Sequence, residues 1–148
     1  MEYIIGAGLI TTVGYDLLIK TLQKSTENVC YLLTHLHSRK DCKDIREIDL
    51  YVQIQCIKNS VDFISNKVSM DEDAYNLMKP IIHSINESLS IIESELLEIQ
   101  KKIKYNNKLW LPYIFSISLD KNVNNIVLEK KILDSRFNMF IKLVNIQK

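Results

Sequence analysis

At 148 residues, with 19 Lys and Arg against 18 Asp and Glu, the chain is long enough to bury a core of its own, and its net charge of +1 marks it neither as a nucleic-acid binder nor as an acidic tail. Cys30, Cys42 and Cys56 are odd in number and have no CxxC spacing, which argues against a disulfide framework and for a reduced, cytoplasmic protein. All three glycines lie at positions 6, 8 and 14 and there are only two prolines, too few tight-turn residues for a many-stranded sheet.

The first element is a helix from about Glu2 into the twenties, extending to His37 unless Ser25 or Thr26 caps a new one. Residues 1–24 form its weak, apolar, glycine-containing part, because each glycine lowers helix propensity by about 1 kcal/mol relative to alanine. Ile5, Leu9, Val13 and Leu17 recur every four residues as its apolar stripe, beside a small-residue surface at Ala7, Gly8, Thr11 and Thr12 that permits close helix approach. The uncharged stretch from Tyr3 to Tyr15 is bracketed by Glu2 and Asp16 and has no basic flank, so it does not read as a secretory signal. It also falls short of the roughly 20 residues that a spanning helix needs.

A second helix is expected to begin at Asp41 or Asp44 and to bury Ile45, Ile48, Val52, Ile57, Val61, Ile64 and Val68. Ser69 and Glu72 fit a capping box, with Asp71 and Asp73 adding negative charge where a helix N-terminus is positive. Pro80 then kinks that helix or restarts it. From there Ile81, Ile85, Leu89, Ile92, Leu96, Ile99 and Ile103 recur at spacings of four and three, with Glu98 and Lys102 placed as an i,i+4 pair and Asn106-Asn107 as the end. The run Leu109 to Leu119, with Pro112, fits a short helix, a packed connection or one strand. Asp120 or Ser118 caps a last helix carrying Val123, Ile126, Leu133, Phe137, Phe140 and Val144, with Lys130 as the polar break in its stripe. The fold expected is all-α, one domain over 1–148, an antiparallel bundle of four to five helices.

The chemistry of an active site is not visible. His35, His37 and His83 stand in no catalytic setting, so no enzyme activity is expected. Cys30, His35, His37 and Cys42 have suitable zinc donors, but His35 and His37 at i,i+2 point to different helix faces, so no metal is assigned. Gly6-Ala-Gly8 lacks the third glycine and the preceding strand of a dinucleotide site, and no other cofactor motif is present. Glu93, Glu95 and Glu98 read as a solvated helix face. Trp110, Tyr113 and Phe115 follow Lys101, Lys102, Lys104 and Lys108, a grouping that suits core packing or a lipid headgroup zone better than nucleic acid. Charge is unevenly spread. Residues 1–100 carry 9 Lys and Arg against 15 Asp and Glu, and residues 101–148 carry 10 against 3. Intramolecular pairing of the two parts, or attraction of the basic part to an anionic surface, both follow from that split.

In order, the apolar N-terminal helix, the long helix across Ser88 to Lys104 and the closing helix from Asp120 to Ile146 resemble the HeLo family of helical death-inducing domains. That group includes the N-terminal bundle of the necroptosis pseudokinase and its plant and fungal relatives. Similarity is greatest over Leu89 to Leu143, and the opening Gly-Ala-Gly-Leu-Ile is similar to the small, apolar start of the fungal members. The resemblance implies a bundle that self-associates and permeabilises membranes through a releasable first helix and basic residues that meet anionic lipid.

Two expectations follow. In the first, the protein is a cytoplasmic bundle that associates with membranes and promotes or regulates cell death by oligomerisation. Tyr3, Ile4, Ile5, Leu9, Ile10 and Val13 insert, and Lys101, Lys102, Lys104 and Lys108 meet the headgroups of anionic lipids. In the second it is a soluble interaction module, a virus-like inhibitor or decoy of host death signalling with a Bcl-type arrangement and a helical protein partner. Vesicle leakage with and without residues 1–20 and capture of a helical partner separate the two, and burial of residues 3–15 against the long helix would mark a resting bundle.

Overall fold

Four long helices follow from uninterrupted apolar periodicity and from the scarcity of helix-breaking residues. The computed structural model describes residues 2–37, 45, 49–67, 72–108 and 118–146, with side chains described at 14–36, 45, 49–66, 72–106 and 118–146. Helix α1 spans Glu2–His37, α2 Leu50–Lys67, α3 Glu72–Lys108 and α4 Asp120–Ile146. No strand occurs among the described residues, and none of their helices is long and apolar enough to cross a membrane. The all-α bundle is as expected, with four long helices.

Helix α1 is continuous. Thr26 does not cap a second helix: it is fully buried, and its hydroxyl donates to the Gln23 carbonyl at 2.7 Å. The buried seam of α1 is Tyr15, Ile19, Leu22, Thr26, Val29, Leu33 and Leu36, spaced alternately by four and three. Leu17, expected in the apolar stripe, is 64% exposed. The stripe of every fourth residue drifts around a helix of 3.6 residues per turn, so it leaves the core face by Leu17.

Helix α2 starts only after Asp49, whose φ of 56° is left-handed, a conformation that aspartate tolerates and that stops a helix from passing through. Asp41 and Asp44, the expected starts, lie outside the described residues, as do Ile48, Val68 and Ser69. The helix buries Leu50, Ile54, Ile57, Val61 and Ile64, whereas Val52 points outward at 54% exposure. Val52 is two residues from both Leu50 and Ile54, so it stands on the opposite side of the helix from them.

Helix α3 runs through Pro80 without restarting, and Glu72 and Asp73 occupy its first turn. Pro80 and Asn76 are both exposed, so the Asn76 carbonyl that loses its partner faces water. All seven positions of the stripe from Ile81 to Ile103 are buried, joined by Ala74, Met78, Ile82 and Ser88. The helix passes Asn106 and ends at Lys108.

In α4 the buried apolar residues are Ile126, Leu133, Phe140 and Val144, with Val123 and Phe137 partly buried. The buried polar residues in its seam are Asn122 and Glu129, and not the expected Lys130. Lys130 lies one residue further round, where its carbonyl accepts from Gln53 Nε2 of α2 at 3.4 Å.

Side-chain contacts fix the directions of the helices. Gln23 donates to Asp62 and Gln55 to Cys30, so α2 is antiparallel to α1. Glu95 accepts from Asn122 and Asn125, and Arg136 reaches Ser84 and Ser88, so α4 is antiparallel to α3. Gly14 faces Tyr75 and Asn28 faces Glu93, so α1 and α3 are parallel and in close contact. The molecule is thus two antiparallel hairpins, α1–α2 and α3–α4, joined along the α1–α3 pair.

Candidate functional site

The candidate membrane-inserting residues Tyr3, Ile4, Ile5, Leu9, Ile10 and Val13 belong to the helical backbone of α1, and their side chains lie outside the described set. Helix register places that segment in the bundle. Gly14 is level with Tyr75, three residues after α3 begins, so the start of α3 is level with about residue 11 of α1. Gln23 is level with Asp62, which puts the end of α2 near residue 18. Arg136 is level with Ser84 to Ser88, which puts Ile146 near residue 15. Residues 2–10 of α1 therefore run about 13 Å beyond the ends of the other described helices, at 1.5 Å per residue.

Where the overhang meets the bundle, Gly14 allows a close approach. A Cβ at that position would lie 3.0 Å from Tyr75 Oη and 3.5 Å from its ring carbon, so the phenol of α3 occupies the space that other residues would fill. Lys79 Nζ stands over the same ring, 5.9 Å from its centre. Tyr15 beside it is 7% exposed, with its hydroxyl buried and without a partner among the described residues. Burial, and then the charge of Asp16, push that phenol above its usual range.

Alanine at Gly14 tests this joint. It removes the helix-propensity penalty of glycine while asking only the flexible end of Tyr75 to give way, so Gly14→Ala is expected to raise stability by up to about 1 kcal/mol. Gly14→Leu, which must expel the ring, is expected to lower it. Urea denaturation of both variants checks the pair, and a stabilised leucine variant contradicts the contact.

The lysines are at the other end. Twenty-nine residues of α3 separate Glu72 from Lys101, about 44 Å of helix. Lys101 and Lys104 are exposed, and the side chain of Lys108 lies outside the described set, as do Trp110, Tyr113 and Phe115. Lys102 is already engaged: its Nζ donates to Asn122 Oδ1 at 2.6 Å and pairs with Glu98 at 3.4 Å. The two groups expected to meet one bilayer thus occupy opposite ends of the closed bundle.

Between the ends lies a polar seam that hydropathy does not reveal. Asn122, Glu129 and Arg136 recur every seven residues on α4, all on its α3-facing side or inside the core. Asn122 is 1% exposed, accepts from Lys102 and donates to Glu95 at 2.8 Å; Asn125 donates to the other oxygen of Glu95 at 3.1 Å. Hydrogen bonds from Asn122 and then Lys102 hold the exposed Glu98 carboxyl below its usual range. About four turns along, Arg136 donates to the Ser84 carbonyl at 2.5 Å and to Ser88 Oγ at 2.7 Å, with Glu87 at 3.9 Å. Part of the acidic-to-basic charge split is therefore absorbed across α3 and α4. The seven-residue spacing of Asn122, Glu129 and Arg136 is the one sequence signal that points to this seam.

The possible zinc donors do not converge among the described residues. Cys30 is buried in the α1–α2 interface, where Gln55 Nε2 donates to its sulfur at 3.6 Å and burial raises its thiol above the usual range. His35 stacks on Tyr31 at 5.7 Å, and Cys42 and the His37 side chain lie outside the described set. No group of three metal-binding side chains forms among the described residues.

No protein-family model, curated protein or solved structure significantly matches this chain.

Proposed function

We propose that the protein is a non-enzymatic helical bundle that engages anionic membranes through the first turns of α1 and promotes or regulates cell death by oligomerisation. The observation that carries this reading is the overhang: residues 2–10 extend beyond the ends of the other described helices, and six of these nine, Tyr3, Ile4, Ile5, Ala7, Leu9 and Ile10, are apolar. An apolar helical end that the other described helices do not flank favours a lipid interface, and a span of this length suits shallow insertion. The family resemblance supplies the link to cell death. Lys20, Lys79 and Lys142 are exposed and share that end of the bundle, so end-on contact makes them the headgroup partners, in place of Lys101 and Lys104.

Leakage from phosphatidylserine-containing vesicles tests the reading in the full chain. Ile5→Glu with Leu9→Glu is expected to abolish leakage, and Lys79→Glu with Lys142→Glu to reduce it. Lys101→Glu with Lys104→Glu is expected to leave it near the starting level. Leakage indifferent to the Ile5 and Leu9 changes overturns the reading; loss on changing Lys101 and Lys104 alone moves the contact to the other end.

The soluble-module reading has one observation in its favour. Helix α2 carries Val52 and Phe63 at 54% and 53% exposure three turns apart, on the side away from its buried residues. On that reading the chain binds a synthetic amphipathic helix of the Bcl-ligand type and ignores vesicles.

A further inference from the structure

The solvent side of the α3–α4 seam is lined by two apolar rows. On α3, Leu77, Ser84, Ile91, Glu98 and Tyr105 recur every seven residues, and the contacts of Ser84 and Glu98 with Arg136 and Asn122 fix this row at the α4 edge. Leu77, Ile91 and Tyr105 in it are 47%, 39% and 69% exposed. On α4, counting from Asn125, which bonds Glu95, the row is Leu128, Ile132, Ser135, Met139, Leu143 and Ile146. Leu128, Met139 and Ile146 are 60%, 55% and 73% exposed. The antiparallel register sets Ile91 near the level of Leu128 and Ile132, and Leu77 near Leu143 and Ile146. These exposed apolar side chains, interrupted by Ser84, Glu98 and Ser135, are more than the scattered single residues of an ordinary surface.

Charge on the two banks indicates what covers it. The outer bank of α3 carries the exposed acids Asp73 and Glu87, with the base Lys101 at its far end, and that of α4 the exposed bases Lys121, Lys131 and Lys142. Such a surface is complementary to itself when turned about an axis parallel to the helices. That rotation lays α3 of one copy antiparallel on α4 of the other and keeps each level, so Glu87 meets Lys131. Rotation about an axis across the helices would instead oppose acid to acid and base to base.

We infer that a second copy of this chain covers the face, forming a two-fold dimer with α3 against α4. The dimer gives the oligomerisation in the proposed function a surface, and a test without lipid reads its failure apart from any failure to engage membranes. Sedimentation equilibrium of the full chain in low salt is expected to show a monomer–dimer equilibrium. Leu128→Glu with Met139→Glu is expected to give monomer only, with an unchanged far-ultraviolet circular dichroism spectrum, since both side chains are exposed. Glu87→Lys and Lys131→Glu are each expected to weaken the dimer roughly two- to fivefold, as rim pairs do, and together to restore it. A wild-type chain that stays monomeric, an assembly larger than two, a dimer that survives the Leu128 and Met139 changes, or a double charge reversal without recovery each overturns the inference. So does a monomer that uses this face to bind vesicles or a helical peptide.

Discussion

Phe140→Ala is expected to lower the unfolding free energy by about 3–5 kcal/mol, the largest loss of any single side chain here. Phe140 is fully buried and stacks on Phe137 with ring centres 6.1 Å apart, inside a core formed by all four helices. Truncation removes its burial and leaves a cavity that four long, straight elements close poorly. For a chain of this size, that loss lowers the thermal midpoint by roughly 10 °C or more. Urea unfolding monitored by far-ultraviolet circular dichroism measures it, and a loss below about 1 kcal/mol contradicts the packing described.

Arg136→Ala is expected to cost about 2 kcal/mol, by a different route. It withdraws the donor from the Ser84 carbonyl and from Ser88, a fully buried residue, and removes a side chain that is only 29% exposed. Lysine at the same position recovers part of the loss at most, because one ammonium does not reproduce the planar fork. A double-mutant cycle identifies the mechanism. In a Ser88→Ala background the Arg136→Ala penalty is expected to shrink by about 1 kcal/mol, and equal penalties in both backgrounds would remove Ser88 from the explanation.

How far the sequence revealed the fold varies by helix. The Ile81 to Ile103 stripe was legible to the last residue because its alternating spacing, set between charged neighbours, leaves one face available for burial. Helix α1 was legible as a helix but not in phase. Its buried seam includes Thr26, and hydropathy does not register that a threonine hydroxyl can satisfy itself on its own helix carbonyl. Glu129 and Asn122 escaped for a related reason: a polar residue enters a seam when a neighbouring helix supplies partners, and the neighbour is not encoded locally. The same limit applies to the candidate site. The lysines and the apolar opening are each plain in the sequence, but their placement at opposite ends follows from the parallel pairing of α1 with α3. That pairing is tertiary.

The pairing also orders the search through which the chain finds its fold. Contacts within the hairpins close chain segments of 25 and 39 residues for α1–α2 and of 20 to 52 for α3–α4. The Asn28 contact to Glu93 closes 65. Loop-closure entropy rises only as the logarithm of length, so the thermodynamic penalty of the longer closure is well under 1 kcal/mol. Its kinetic meaning is larger, because a parallel contact of that separation gains nothing until both hairpins present finished faces. The α1–α3 interface, with the Gln53 contact of α2 to α4 that closes 77 residues, is then expected to form after the hairpins, and it anchors the helix whose end extends beyond the other described helices.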